Sequence, residues 1–199
     1  NADVKIEFIE AQPNVKVRFN NLIINSHLIG EYNFTNIAVA IAIANYFKVD
    51  DKGIKEAIES YMPSNNRSQV IQTASHKIIM DAYNANPTSM RAALLNFEKL
   101  NDKIKVAILG DMFELGDSSV EEHAALGLLL APLGFEKFLL VGEHMQHALI
   151  HLPSAYYFPD KFGLHIWLQD HPIQDSFLLV KGSRGIQLES VLAFLENSK

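Results

Sequence analysis

The spacing of apolar positions changes along the chain, and each change predicts a different kind of element. In residues 4–29 two stretches alternate apolar and polar side chains, a period of two that predicts strands. The alternating apolar positions are Val4, Ile6 and Phe8, then Val15, Val17 and Phe19. A third apolar segment, 22–29, precedes Gly30. The first 29 residues are therefore predicted to form β structure.

The next segment is helical in pattern. Residues 37–47 are almost wholly apolar and rich in alanine, which predicts a helix buried on most sides. Residues 50–61 have the spacing of an amphipathic helix. The periodicity stops at residues 62–68, where Pro, Ser and Asn cluster, so we interpret this segment as a linker.

After residue 68 apolar runs typical of strands alternate with helical patterns, which predicts right-handed crossovers and an α/β fold with a doubly wound, mostly parallel sheet. The predicted strands are 69–73, 76–81, 104–109, 137–141, 155–158 and 177–181. The predicted helices are 87–100, 119–131, 143–151, 160–169 and 185–196.

The chain is predicted to hold the tail of one domain, residues 1–66, and one complete α/β domain, residues 67–199. Three strands and two helices, one very apolar, are too few for a convincing domain and suggest a missing neighbour. Asn1 and Ala2 precede the first predicted strand and are interpreted as a vector remnant. We therefore expect the chain to be a truncated piece of a longer protein.

The composition argues against several kinds of site and several classes of partner. The 199 residues include no cysteine, which excludes disulfides, thiol nucleophiles and Cys-ligated zinc and suits a reducing cytoplasm. The net charge is −6, with no basic cluster on a predicted face, so neither nucleic acid nor an anionic membrane is an expected partner. No apolar run approaches the ~18 residues of a membrane span.

The segment from Lys77 to Met90 is the most informative one. Residues 78–80 predict a strand buried on both faces, and Asp81 ends it. Asn86 and Pro87 supply an N-cap and a first-turn proline for the next helix. Since open α/β sheets bind ligands at the carboxyl ends of their strands, Asp81, Asn84 and Asn86 predict a site there. The alternative is that they only close a turn.

Two polar groups lie nearer the start of the chain. Asn33 and Asn36 are three residues apart and can present two carboxamides on one helix face, which suits a purine edge. From the residues alone, an N-cap with a polar third residue is the favoured interpretation. Arg67, the only cation near the linker, has a guanidinium that can grip phosphate, although a lone linker arginine is usually solvated.

Two further loops follow predicted strands. Gly110–Asp117 offers flexible backbone and acids that could serve a metal or an amine, with Ser118 or Ser119 as a helix cap, although a plain loop explains most of it. Lys181-Gly-Ser-Arg184-Gly185 places two cations at another strand end. The GxxxxGK[ST] spacing of a phosphate-binding P-loop is absent from the chain.

Three closely spaced histidines are candidate metal ligands. His144, His147 and His151 are spaced at i, i+3 and i+7 of one predicted helix, an arrangement that could mimic a zinc site. No fourth ligand is evident, so no metal site is predicted there. His123 lies near the predicted start of its helix, and its position favours neither a structural nor a functional role.

Five segments, in this order, resemble the Mur ligase family, and within it the MurF branch. They are GEYNFTN from Gly30, the arginine of NNRSQ, DAYNANPTSM from Asp81, LGDMFELGDSSVEEH from Leu109, and VKGSRG from Val180. The resemblance implies the end of a P-loop-type central domain followed by a Rossmann-like ligase domain. It departs at Tyr32, where many relatives have histidine.

The resemblance also implies roles for particular residues. Asn33 and Asn36 would contact adenine, Asp81 the ribose hydroxyls, and Arg67 the phosphates. Further contacts in the closed cleft, near a dipeptide substrate, are implied for Tyr83, Asn84, Asn86, Lys181, Ser183 and Arg184.

The implied reaction joins D-Ala-D-Ala to a UDP-N-acetylmuramoyl-tripeptide with ATP and Mg²⁺, through an acyl phosphate. The P-loop lysine, the Mg²⁺ ligands and the UDP site would lie upstream of Asn1, so this chain alone would hold no complete catalytic set and would be inactive. Two alternatives stay open. A receiver-like regulatory domain also places an Asp and a Lys at strand ends, and a folate-polyglutamate-type ligase shares the ligase domain.

Overall fold

A computed structural model describes residues 4–101 and 104–195. The chain divides into two compact units, Asn1–Pro63 and Ser64–Lys199, and the division falls inside the predicted linker. Asn1 and Ala2, interpreted above as a vector remnant, lie outside the described residues, as does residue 196 of the last predicted helix.

The first unit is a three-stranded antiparallel sheet followed by two helices. Its elements are β1 (Ile6–Ala11), β2 (Asn14–Phe19), β3 (Leu22–Ile29), α1 (Asn33–Tyr46) and α2 (Asp51–Ser60). The core packs one face of the sheet against one face of each helix, through Val15, Val17, Phe19, Ile24, Ile37, Ile41 and Ile54. The predicted strands and both helices are present.

One expectation for α1 is wrong within the described chain. The helix was predicted to be buried on most sides, but Val39 and Ile43 are 52% and 54% exposed. Only Asn33, Ile37 and Ile41 of this helix are buried. One face of α1 thus packs on the sheet, and its equally apolar opposite face contacts little of the described protein.

The second unit has the predicted doubly wound, mostly parallel sheet. Its strands are β4 (Gln69–Gln72), β5 (His76–Asp81), β6 (Lys105–Gly110), β7 (Lys137–Val141), β8 (Tyr156–Phe158) and β9 (Ser176–Lys181). They lie in the order β4-β5-β9-β6-β7-β8, and only β4 runs antiparallel to its neighbour among these strands. The fold class expected from the sequence is therefore confirmed.

Helices flank this sheet, and the core lies between the layers. They are α3 (Pro87–Lys99), α4 (Ser119–Leu130), α5 (Lys161–Asp170) and α6 (Leu192–Leu195). α3 contacts α4, and α5 contacts α6. Apolar side chains of β5, β9, β6 and β7 pack with those of α5 and α6 in one continuous cluster. The strand β9 is buried along its whole length, as expected for a central parallel strand.

Three helix predictions need correction. The segment predicted as a helix at 143–151 is a 3-10 helix at His144–Ile150, and the i, i+3 spacing that suggested it fits either winding. The helix predicted at 185–196 is broken at Gln187, whose φ of 58° is left-handed, into 3-10 turns and the short α6. Ser118 precedes α4 without a side-chain cap bond, because a 3-10 turn leads directly into the helix.

Candidate functional site

The carboxyl ends of β5 and β9 meet in an ion pair. Asp81 and Lys181 are paired positions at the ends of the two strands. Lys181 Nζ lies 2.6 Å from Asp81 Oδ2, and the two side chains are 2% and 16% exposed. The lysine also donates to the backbone carbonyl of Asn84 at 3.2 Å. The parallel register of two adjacent strands thus places opposite charges side by side at the edge where a ligand is expected.

Asp81 also fixes the end of the linker. Its Oδ1 accepts a hydrogen bond from the backbone N–H of Ser68 at 2.9 Å. Ser68 is buried and has a left-handed φ of 47°. The Asp81 carboxylate, at the end of β5, therefore links Ser68 at the start of the second unit to Lys181 at the end of β9. The predicted ribose contact of Asp81 stays a prediction, and it would involve a carboxylate whose two oxygens already accept bonds.

Two guanidinium groups flank the ring of Tyr83. The Arg67 carbon Cζ lies 3.7 Å from the ring centroid, and that of Arg184 lies 5.4 Å away. A hydrogen bond from Arg67, with the positive charges of Arg67 and Arg184, lowers the pKa of the Tyr83 phenol. Both arginines are exposed. Residues 67, 83 and 184, far apart in sequence, thus form one positively charged cluster, hereafter the arginine cluster.

Asn86 is an N-cap, as its position in the sequence predicted. Its Oδ1 accepts from the Ser89 backbone N–H at 2.8 Å, and Ser89 Oγ accepts from the Asn86 N–H at 3.1 Å. With Pro87 in the first turn, this reciprocal pair starts α3. Asn84 is exposed. The substrate contacts of Asn84 and Asn86 stay predictions.

The carboxamides of Asn33 and Asn36, in the first unit, are bonded to each other. Asn36 Nδ2 donates to Asn33 Oδ1 at 3.0 Å, and Asn33 Nδ2 donates to the carbonyl of Ile29 at 2.8 Å. Asn33 is 5% exposed, whereas Asn36 is exposed. The residue preceding the helix is Tyr32, so neither asparagine is the N-cap considered above. Asn33 is thus placed to orient Asn36 toward solvent.

Ser183 occupies a buried position, unlike the exposed Arg184 beside it. Its Oγ accepts from the Phe113 N–H at 2.9 Å, and its own N–H donates to the Asp111 carbonyl at 3.0 Å. These bonds join the loop after β9 to the loop after β6. The predicted substrate contact of Ser183 stays a prediction beside this structural role.

Sequence reasoning missed the network around Asp111. This carboxylate is 2% exposed and accepts the backbone N–H groups of His144 at 3.2 Å and Met145 at 2.9 Å. Burial raises its pKa. His123, fully buried, lies with Nε2 3.8 Å from Asp111 Oδ1, and burial lowers its pKa. The available signal was the Asp of a strand-end loop and the His of the following helix, but nothing in their spacing indicated contact.

A cavity of about 350 Å³ opens at the same edge of the sheet. The loops after β6, β7, β8 and β9 line it with groups of both charges and with apolar surface. Its lining includes Asp111, Phe113, Glu143, His144, Asp160 and Lys161. A cavity of this volume falls in the range of small-ligand sites. Of the residues predicted for substrate binding, none lines this cavity, although Ser183 contacts two residues that do.

The histidine row does not assemble a metal site. Residues 144–150 form a 3-10 helix, in which the i and i+3 positions share a face but i+7 turns away. Throughout residues 4–101 and 104–195, no group of three His, Cys, Asp or Glu side chains is placed to hold a metal ion. Likewise, no helix in the described part of the chain is long and apolar enough to span a membrane.

Comparison with known proteins identifies the family of the second unit, and the similarity to its relatives continues into the first unit. Residues 66–184 match the family described as Mur ligase, glutamate ligase domain. The UDP-N-acetylmuramoyl-tripeptide–D-alanyl-D-alanine ligase of Bacillus subtilis is 30% identical over 179 residues, which are 86% of this chain and 39% of that protein. The chain thus spans about two fifths of the length of this curated relative.

Solved structures give the same result. A crystal structure of MurF from Acinetobacter baumannii superposes with a TM-score of 0.82 and 33% identity, covering 98% of this chain and 45% of that one. The MurF ligase of Thermotoga maritima in complex with ADP has a TM-score of 0.74 over 98% of this chain and 46% of that one. At 20% identity it shows the shared fold alone. With a family match over more than half of its residues, the chain belongs to the Mur ligase family.

Proposed function

We propose that this chain is part of an ATP-dependent ligase that joins D-Ala-D-Ala to a UDP-N-acetylmuramoyl-tripeptide through an acyl phosphate. The observation that carries the proposal is the 33% identity to MurF over 98% of the chain, which includes both compact units. The resemblance carried by the five sequence segments leads to the same reaction. The curated relative from Bacillus subtilis bears this activity in its name, which favours it over a receiver domain or a folate-type ligase.

ATP is the proposed cofactor, and two groups of residues would contact it. Asn36, oriented by Asn33, offers an exposed carboxamide that can both donate to and accept from an adenine edge. Asp81 would accept from the ribose hydroxyls. The MurF ligase of Thermotoga maritima, which has the same fold, was solved in complex with ADP.

The arginine cluster suits the phosphates. Guanidinium groups bind phosphate oxygens with paired hydrogen bonds, and their charge stabilises the negative charge that shifts between oxygens during phosphoryl transfer. The Tyr83 ring holds Arg67 at 3.7 Å and Arg184 at 5.4 Å from its centroid, so the two cations face one region. Arg67 would bind the phosphates, and Arg184, with Lys181, would contribute positive charge nearby.

The amine substrate would be held at the same edge of the second unit. Tyr83, Asn84 and Asn86 are proposed to face the dipeptide from the loop after β5. The cavity, which none of these three residues lines, offers a second set of groups for the dipeptide, namely carboxylates for its ammonium group and Lys161 for its carboxylate. Holding the amine in place would favour attack on the acyl phosphate chiefly by positioning.

Mg²⁺ is expected for the reaction, but the donor set here does not fit it. Magnesium prefers oxygen ligands in octahedral geometry, whereas Asp81 is engaged by Lys181 and Ser68. We therefore place the Mg²⁺ ligands, with the P-loop and the UDP-sugar site, in parts of the same protein outside this chain. We place that protein in the cytoplasm. This chain alone is proposed to be inactive, with no catalytic residue of its own sufficient for the reaction.

The test is a ligation assay on the intact protein that carries this chain. Phosphate release should require ATP, UDP-N-acetylmuramoyl-tripeptide and D-Ala-D-Ala together, and L-Ala-L-Ala should not replace the dipeptide. Arg67→Gln should reduce kcat/KM on the order of a hundredfold, whereas Arg91→Gln, an exposed arginine on α3, should not change it. A folded protein that releases no phosphate with the three substrates, or that instead extends a folate with glutamate, would refute the proposal.

The isolated 199-residue chain provides a second check. Because the P-loop, the Mg²⁺ ligands and the UDP-sugar site are assigned outside this chain, the chain should show no ligation under conditions in which the intact protein is active. Measurable ligation by the chain alone would overturn that assignment.

A further inference from the structure

We propose that Asp111, supported by His123, is a positioning residue that fixes the shape of the cavity by holding three loops together. These are the loops after β6, β7 and β9. The proposal rests on the proposed function only for its kinetic consequence. The structural part stands on the bonds of Asp111 and of the residues that contact it.

Asp111 bonds to each of the three loops. From its place after β6 it accepts the N–H groups of His144 at 3.2 Å and Met145 at 2.9 Å, both in the segment that follows β7. Its backbone carbonyl accepts the Ser183 N–H of the loop after β9 at 3.0 Å. Its own N–H donates to the Val141 carbonyl at 3.1 Å. Asp111 thus supplies a bond to backbone groups of both neighbouring segments, and the Met145 N–H donates in addition to the Gly142 carbonyl at 3.2 Å.

The segment after β7 is built to receive this carboxylate. Gly142 has a φ of +122°, and a Cβ added there would lie 2.4 Å from the Asp111 carboxyl carbon. No side chain fits between the Gly142 backbone and Asp111 without movement of one of them. The carboxylate therefore packs directly against the backbone and reaches the N–H groups two and three residues further along.

His123 fixes the other side of the Asp111 loop. Its Nδ1 lies 2.7 Å from the Ser119 carbonyl, which can only accept, and its Nε2 lies 3.1 Å from the Met112 N–H, which can only donate. These two partners require the neutral ring with the proton on Nδ1. Because His123 belongs to α4 and is fully buried, it ties the residue after Asp111 to a rigid helix.

The bonds made by Asp111 and Ser183 fix the positions of residues that line the cavity. Glu143 and His144, which line it, lie on the segment that Asp111 holds, and Phe113 is held by Ser183. Neither the Asp111 carboxylate nor the His123 ring needs to react with a substrate for this role. Their proposed part is to keep the loops in one geometry, so that the dipeptide binds without first ordering its site.

The first test needs no variant. Hydrogen–deuterium exchange of the intact protein, read residue by residue, should show slow exchange at the amides of His144 and Met145, although the His144 side chain is exposed. Exchange of both amides at the rate of an unstructured peptide would overturn the proposal, whatever the protein catalyses. This readout separates its failure from a failure of the proposed function.

The second test uses Asp111→Asn, which replaces one accepting oxygen by an NH₂ group. The His144 amide should then exchange about tenfold or more faster, and the Met145 amide should be accelerated less because it also donates to the Gly142 carbonyl. The KM for D-Ala-D-Ala should rise on the order of tenfold while the KM for ATP stays unchanged. Asp170→Asn, an exposed aspartate at the end of α5, is the charge-matched control and should change neither. Unchanged exchange in Asp111→Asn, or an equal rise in both KM values, would contradict the proposal.

His123→Gln is a second variant that keeps the proposal testable if Asp111→Asn does not fold. Faster exchange is expected at the Met112 amide, because the buried ring nitrogen that accepts it is lost. The exposed His151→Gln is its control. Exchange at Met112 that is as slow as in the wild type would remove His123 from the proposal.

Discussion

Lys181, whose side chain is 2% exposed, donates to Asp81 across 2.6 Å at paired ends of β9 and β5. Removing one member of a buried ion pair leaves the other without compensation. Lys181→Met should therefore lower the free energy of unfolding by about 3 kcal/mol, measured by denaturant titration. Lys137→Met is the control, since its 3.8 Å contact with Glu136 is solvent-exposed and should contribute less than about 0.5 kcal/mol. Equal effects of the two substitutions would contradict this ranking.

Gly142→Ala should destabilise the protein strongly. The positive φ of +122° is unfavourable for alanine, and the new Cβ would meet the Asp111 carboxyl group. We expect a loss of at least about 2 kcal/mol in the free energy of unfolding. Gly134→Ala is the matched control, because no atom lies within 4 Å of its added Cβ, and it should change stability by less than about 1 kcal/mol. If Gly142→Ala and the wild type had the same free energy of unfolding, the loop would be shown to accommodate the added Cβ at little cost.

Asn86 allows its capping role to be separated from its proposed substrate contact. Asn86→Ala removes the acceptor of the Ser89 N–H and should cost about 1 kcal/mol of stability. Asn86→Asp retains an acceptor at this position and should unfold like the wild type. If Asn86 also touches the dipeptide, Asn86→Asp will still raise the KM for D-Ala-D-Ala; an unchanged KM would leave it as a cap only.

Tyr83 should titrate below its ordinary pKa of 10.0, because Arg67 donates to it and both arginines favour the phenolate. Ultraviolet absorbance against pH, with Tyr83→Phe to identify the signal, measures this. Arg67→Gln should return the pKa of Tyr83 most of the way to its ordinary value, and Arg184→Gln should do so less. A larger effect from Arg184 would indicate a different arrangement of the cluster.

His123 should make stability depend on pH below neutrality. Burial lowers its pKa beneath the ordinary 6.5, so between 6.5 and the folded-state pKa the unfolded chain binds more protons than the folded one. The free energy of unfolding should therefore fall as the pH falls through this window. Asp111 acts in the opposite direction, since burial raises its pKa above 3.8.

Comparing variants isolates the histidine. Denaturant titrations between pH 8 and pH 5, as an approximate range around the ordinary histidine pKa, should give a shallower slope for His123→Gln than for the wild type. The exposed His151→Gln should retain the wild-type slope. Identical slopes in all three proteins would show that His123 is not held neutral.

The sequence predicted well what depends on local pattern. Strands from 69 onward were located by their apolar runs, and the Asn86–Pro87 cap by its residue types, because these signals lie within a few positions of one another. The type of helix was less predictable than its presence. The i, i+3 spacing of His144 and His147 places them on one face of either an α-helix or a 3-10 helix, and only the packed structure shows which one forms.

Contacts between distant residues could not be read from local pattern. Asp81 and Lys181 are 100 positions apart, and their pairing depends on β9 lying beside β5. The contact between Asp111 and His123 depends on the path of a loop between a strand and a helix, which apolar spacing does not specify. The sequence therefore identified Asp81 and Lys181 as candidates but gave neither their ion pair nor the network that shapes the cavity.

The position of β9 has a consequence for how the protein is made. This strand follows the other five strands of its sheet along the chain, yet it lies in the middle and is the neighbour of both β5 and β6. While a ribosome is still synthesising residues before 176, the earlier strands can form only two separate halves, β4 with β5 and β6 with β7 and β8. Their inner edges stay open to pairing with other chains until β9 emerges and closes the sheet between them.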